Sequence, residues 1–207
     1  MATAVGFDTI FTARSKRCQA SGSSSISRIS DFFAMPDTDL KALYAAVGRA
    51  ISEWETLEAH LSYTYSIFEG RPVDSALLRD YGREARIFRT RMEAVRASAE
   101  KYFQSHPNQE QEARFEALVS KAEELSTLRN RIAHGMVMGQ QASPGQTLYS
   151  LIPPSHGFHH LTKKDGGESY SYDSKEIEAH TDSFIKLATD VQKFNHERHP
   201  PYGARNP

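Results

Sequence analysis

Apolar side chains recur at steps of three and four along most of the chain, the spacing that gathers them on one face of an α-helix. Four segments with this period are delimited by cap and stop residues. The first opens with Asp37 or Thr38 and runs to about Phe68, ending at Gly70 and Pro72. Its apolar line is Leu40, Val47, Trp54, Leu61 and Phe68, beside a second line of Tyr44, Ile51, Glu58 and Tyr65. The second runs from near Asp74 to about Phe103 through Leu78, Tyr81, Ala85, Phe88, Met92, Val95, Ala99 and Tyr102, which predicts one long helix. The third extends from a cap at Asn108 to Gly135, with Phe115, Leu118, Ala122, Leu125 and Ile132 inward. Gly135 is a natural stop, because glycine takes the left-handed conformation after a last helical turn. The fourth opens at Asp173, with Glu176 completing a capping box, and carries Ile177, Phe184, Ala188, Val191 and Phe194 on one face.

Residues 136–172 lose the helical period. Met136–Met138 and Leu148–Ile152 read as short strands, as do Phe158–Lys163 and Ser169–Tyr172, with Asp165-Gly166-Gly167 as the turn between the last two. The expected fold is therefore all-α: an up-and-down four-helix bundle with a small β-hairpin insertion between helices 3 and 4. Residues 1–37 read differently, since Ser21–Ser25 is low in complexity and Arg14, Lys16, Arg17 and Arg28 outnumber Asp8 and Asp31. A flexible N-terminal extension fits better than a transit peptide, which Asp8 and the lack of an amphipathic stripe oppose. The expected division is an extension over 1–37, a helical domain over 38–198 and a disordered tail over 199–207.

Composition narrows the function. The 207 residues carry 25 Lys+Arg against 26 Asp+Glu, a net charge of −1 that argues against broad electrostatic binding to nucleic acid but leaves room for a local basic site. Cys18 is the single cysteine, so neither a disulfide framework nor a Cys-based zinc site is available. No apolar run approaches the ~20 residues that span a bilayer, and a cytoplasmic protein without membrane partners is expected.

Two charges interrupt the apolar lines. Glu58 falls on the line Tyr44–Ile51–Tyr65, and Arg129 falls on the line Phe115–Ala122–Met136. A charge in a core seam is costly unless it is paired, hydrated or used. Each lies about 20 residues, roughly 30 Å, past its helix start. If helices 1 and 3 run parallel, as in an up-and-down bundle, the two charges share a height. They would then form either a buried structural ion pair or part of an active site.

The neighbours of Arg129 are Leu128-Arg129-Asn130-Arg131-Ile132-Ala133-His134-Gly135. This stretch resembles the signature of the HEPN superfamily (higher eukaryotes and prokaryotes nucleotide-binding domain): an Arg, usually a polar residue after it, then a His with four to six residues between. Arg129, Asn130 and His134 match those positions, at the close of a third helix as the resemblance requires. The likeness covers residues 38–196 in architecture and only these few residues in detail. It implies a metal-independent endoribonuclease with no cofactor, acting on RNA as a homodimer, of the kind found in toxin–antitoxin and phage-defence systems. A cognate antitoxin would then be a further partner.

The chemistry can be rebuilt from the side chains. RNA carries its own nucleophile, the 2′-OH, so cleavage needs a base, an acid for the leaving 5′-oxygen, and positive charge at the phosphate. His134 suits acid or base work because imidazole titrates near neutrality. Arg129 offers a planar fork of donors for phosphate oxygens. Asn130 lies one turn before His134 on the same face and can orient it or donate to phosphate. The expected products are a 2′,3′-cyclic phosphate and a 5′-OH. Arg129 and His134 are about 140° apart around the helix and ~7.5 Å along it, so one helix does not aim both at one phosphate. A two-fold dimer with both motifs at its interface resolves this. Glu58 is assigned a supporting role, anchoring Arg129 or tuning His134.

Other features weigh less. The second helix is rich in arginine (Arg79, Arg83, Arg86, Arg89, Arg91 and Arg96). Arg79, Arg83 and Arg86 share one face that could guide an RNA backbone, but Asp80, Glu84, Glu93 and Glu100 interleave as on an ordinary solvated face. His156, His159 and His160, with His180, lack a carboxylate or Cys at ligand spacing, so no metal is expected. Trp54 reads as packing. The competing expectations are a HEPN-like RNA-, nucleotide- or protein-binding module that does not cut, and an all-α interaction domain in which Glu58–Arg129 is structural.

Overall fold

A computed structural model describes residues 38–83, 87–154 and 170–198. The expectations for 1–37, for the tail, for Phe158–Lys163 with its turn, and for His156, His159 and His160 lie outside the described residues. Five helices and one antiparallel hairpin make up the described part: α1 (Thr38–Glu69), α2 (Ser75–Arg83), α3 (Phe88–Ser105), α4 (Gln109–His134), β1 (Met136–Ser143), β2 (Gln146–Ile152) and α5 (Ser174–Arg198). No helix among the described residues is long and apolar enough to cross a membrane.

Local chemistry sets most boundaries. Gly70, at φ 62°, ends α1, with its N–H on the Ile67 carbonyl and the Arg71 N–H on that of Ser66, which satisfies two end carbonyls. Asn108 caps α4 by accepting from the Gln111 N–H at 3.0 Å. Asp173 and Glu176 form the expected capping box of α5, each side chain accepting the other's backbone N–H at 2.8 and 2.9 Å.

The predicted long second helix is instead two helices. Ile87, the residue before α3, is extended at φ −107°, ψ 136°. The apolar period over 74–103 also slips: Leu77 is buried and Leu78 is exposed. Tertiary packing explains the break. Tyr81 of α2 packs on Tyr65, whereas Phe88 at the start of α3 packs edge-on against Trp54, 11 residues earlier in α1. α2 thus carries the chain back down α1 before α3 begins.

That return changes the directions of the helices. Trp54 and Phe68 of α1 meet Phe184 and Phe194 of α5, and Phe88 and Phe103 of α3, in the same order. α1, α3 and α5 therefore run the same way. α4 runs against them, with Phe115 on Phe68 and Arg129 over Trp54. The strict up-and-down alternation expected from the sequence is replaced by three parallel long helices and one antiparallel. Glu58 and Arg129 still reach one level, because the antiparallel α4 brings its C-terminal end to the middle of α1.

Trp54, Leu57, Met92, Val95, Val119, Ile177 and Phe184 form the sealed centre of the core. At the far end, the Arg198 guanidinium lies among the rings of Phe68, Tyr102, Phe103 and Phe194 and donates to Gln111. β1 and β2 pair from Met136↔Ile152 to Ser143↔Gln146, turning at Gly145 with φ 83°. Tyr172 adds a bridge to Leu151, its N–H and carbonyl bonding that residue at 2.9 and 2.8 Å.

Candidate functional site

Arg129 is on the last two turns of α4, half-buried, with its side chain 26% exposed. Its guanidinium carbon lies 5.9 Å from the centre of the Trp54 ring, which is sealed in the core and supplies a fixed π-face. One terminal nitrogen donates to Asn130 Oδ1 at 3.1 Å and the other lies 3.6 Å from Glu55 Oε1. The buried Nε has no hydrogen-bond partner among the described residues. A pinned guanidinium whose counter-ion is distant and mostly exposed retains donors for an incoming anion.

Glu58 does not take the role expected of it. Its carboxylate accepts from Trp54 Nε1 at 2.7 Å and from Arg91 Nη2 at 2.5 Å, inside a pocket that leaves it 12% exposed. It is paired, as a charge on a core line must be, but with α3 rather than with Arg129 or His134. The i, i+4 geometry of α1 puts Trp54 and Glu58 together, and the parallel α3 supplies Arg91.

These groups surround a cleft of about 560 Å³ between α1, α2, α3 and α4. Arg89, Arg91 and Arg129 bring positive charge to it, Glu55 and Glu58 negative charge, and Ile87 and Phe88 an apolar wall. Asn130 and Ser126 stand on the α4 side. Tyr81 closes the cleft from α2, and burial first, then the Glu58 charge, pushes its hydroxyl well above the usual tyrosine range.

His134 ends α4, exposed to solvent and without a hydrogen-bond partner among the described residues. It does not line the cleft. The helix end that carries it is held from several sides. Ile132 is buried. The Tyr170 hydroxyl donates to the Arg131 carbonyl at 3.2 Å, one of the end carbonyls that the helix leaves unsatisfied. The Arg131 guanidinium donates to the Tyr172 hydroxyl at 3.2 Å and lies over the Tyr170 ring. The two tyrosine rings stack at 5.2 Å, and Tyr172 meets His180 edge-on. Burial first, and then Arg131, hold His180 below the usual imidazole range.

Gly135 is required here for a reason other than the expected one. Its φ is −67°, an ordinary value. A Cβ at this position would sit 2.6 Å from Leu151 Cγ and 2.8 Å from the Arg131 carbonyl oxygen. The glycine lets the end of α4 lie directly on β2.

Among the described residues, Arg89, Arg91 and Arg96 of the second predicted helix are engaged. Arg96 bridges Glu116 and Glu123 at 2.7 and 2.8 Å, holding the Glu116 carboxyl below its usual range. Arg89 pairs with Glu93, and Arg71, in the loop before that helix, pairs with Asp80. The Arg83 side chain and Arg86, two of the three arginines expected to share a face, lie outside the described residues. No cluster of three metal-ligating side chains occurs among the described residues. Sequence reasoning singled out Arg129, Asn130 and His134 but missed Glu55, Arg91, Tyr170 and Tyr172. Nothing in the pattern separates Glu55 from Glu53, or Arg91 from the arginines around it. Comparison of the chain with family models, curated proteins and solved structures returned no match.

Proposed function

We propose that the protein is a metal-independent endoribonuclease of the HEPN type, cytoplasmic and active as a homodimer, with its long helices as the bundle that carries the site. The observation that carries this reading is the pinned Arg129 guanidinium lining a cleft of mixed charge, on the same helix end as an exposed and mechanically held His134. Arg129 binds a non-bridging phosphate oxygen and gains most as charge builds on the phosphorane-like transition state. Asn130 is exposed beside it and donates to phosphate or orients His134. His134 protonates the leaving 5′-oxygen as the 2′-oxygen attacks, leaving a 2′,3′-cyclic phosphate and a 5′-OH.

Because His134 does not line the cleft, the acid is supplied across a two-fold axis by a second copy. The surface beside the cleft supports this arrangement. Tyr44, 58% exposed, shares a stripe of α1 with Ile51 and Glu55. α3 begins level with Trp54, so that lower part of α1 has no α3 beside it. A toxin or phage-defence effector is the role that suits such an enzyme, with RNA as substrate and an antitoxin as its partner.

The test is RNA cleavage in EDTA by wild type and His134→Ala side by side on a mixed tRNA and mRNA pool. Wild-type cleavage with cyclic-phosphate ends, lost in the variant, supports the enzyme. Silence from a folded dimer across varied RNAs overturns it. A second reading draws on one observation, the absence of His134 from the cleft that holds Arg129. On that reading the protein is a HEPN-like module that binds RNA, a nucleotide or another protein without cutting, and Arg129→Ala lowers binding where no cleavage is seen.

A further inference from the structure

We propose that Glu55 is the general base that takes the 2′-OH proton, an inference that rests on the ribonuclease reading. Two carboxylates line the cleft, and their surroundings set them apart. Glu58 is bonded at both oxygens: Trp54 and Arg91 each donate to it inside a nearly closed pocket, so it serves as a fixed structural anion. Glu55, one turn earlier on α1, is 62% exposed and has a single ion pair among the described residues, the 3.6 Å approach to Arg129. An exposed pair at that distance contributes little to stability, so packing does not account for the carboxylate's position.

The position matters once a phosphate is bound. An RNA phosphate held by the Arg129 fork lies within reach of the Glu55 carboxylate, and the ribose 2′-OH is the donor that can stand between the two anions. Without that proton the carboxylate and the phosphate would repel each other. With it, the carboxylate accepts a hydrogen bond that strengthens as the oxygen begins to attack. The step balances. The 2′-O–H bond breaks and its proton passes to Glu55, the 2′-O–P bond forms, the P–O5′ bond breaks, and His134 protonates the departing 5′-oxygen. Base and acid thus come from different helices, and different environments keep one carboxylate inert and the other reactive.

The experiment uses the full chain and two forms of one RNA oligonucleotide spanning a mapped cleavage site, one with the normal 5′-oxygen and one with sulfur there. A thiolate leaves without protonation, so the sulfur substrate bypasses the acid but still needs the base. Glu55→Gln is expected to slow both substrates by about 10²–10⁴-fold. It should also lose the acid limb of the pH–rate profile while binding the 2′-deoxy oligonucleotide at least as tightly as wild type, since the carboxylate no longer faces the phosphate. Glu55→Asp should recover part of the rate. His134→Ala is expected to be slow on the oxygen substrate and close to wild type on the sulfur one. Wild-type rates in Glu55→Gln, or its recovery on the sulfur substrate, overturn the assignment while leaving the ribonuclease intact. A wild type silent on both substrates overturns the ribonuclease reading and this inference with it.

Discussion

Glu58 of α1 and Arg91 of α3 meet at 2.5 Å with side chains only 12% and 16% exposed, and this bond, rather than one to Arg129, neutralises the charge on the core line of α1. Removing one partner strands the other in a nearly dry pocket. Glu58→Ala is expected to cost about 3–5 kcal/mol, and the paired replacement Glu58→Leu with Arg91→Met much less. Urea denaturation of Glu58→Leu, Arg91→Met and the double variant measures the coupling. Additive losses would show that the pair is not a unit.

Arg129 has a different dependence. Its only ion pair among the described residues is the long one to exposed Glu55, so Arg129→Ala should leave the melting temperature within a few degrees of wild type. Cleavage should fall by about 10²–10³-fold, the usual loss when a donor to transition-state charge is removed. Arg129→Lys should not restore it, because an ammonium provides neither the planar fork nor the stack on Trp54. A large melting shift in Arg129→Ala would instead mark the residue as structural.

The Tyr170 hydroxyl acts on His134 only through the Arg131 carbonyl, so Tyr170→Phe isolates one hydrogen bond. The expected stability loss is about 1 kcal/mol. Faster hydrogen exchange at the amides of 132–135 should accompany it, with kcat lowered and KM unchanged. Unaltered exchange at those amides would mean that the hydroxyl does not hold the helix end.

Gly135→Ala places a methyl group against Leu151 Cγ and the Arg131 carbonyl. Overpacking of that kind costs about 1–3 kcal/mol. Leu151→Ala should relieve part of the clash, so the double variant is expected to be more stable than the two single losses add up to. Equal stability of Gly135→Ala and wild type, read by thermal melting, would contradict the close approach.

Two histidines link stability to pH. Burial first, then the nearby His196 charge, hold His60 below its ordinary value of 6.5, and burial first, then Arg131, do the same for His180. In both, the unfolded chain takes up a proton more readily than the fold does. Their contribution is therefore complete above about pH 6.5 and is lost as pH falls toward the lowered values. Melting temperatures should decline over that window, and His60→Asn with His180→Asn should flatten the decline.

Sequence periodicity located α1, α4 and α5 closely because each carries a long recurring apolar line and a local cap or stop residue. It failed over 74–103, where the division between α2 and α3 depends on Phe88 docking against Trp54. That contact spans 34 residues and leaves no local signature. Arg129, Asn130 and His134 were legible because they are close in the chain. Glu55 and Arg91 were not, since each is one charged residue among several until helix packing selects it.

What the chain determined by itself is what short-range physics can encode: helix starts at Asn108 and Asp173, stops at Gly70 and Gly135, the hairpin, and a costly charge at 58 and at 129. Which partner each charge found was decided by the tertiary structure alone. The direction of α3 brought Arg91 to Glu58, and the antiparallel α4 laid Arg129 on Trp54 beside Glu55. Relative helix direction follows from the sum of many core contacts over the whole domain, and no local stretch of residues carries it.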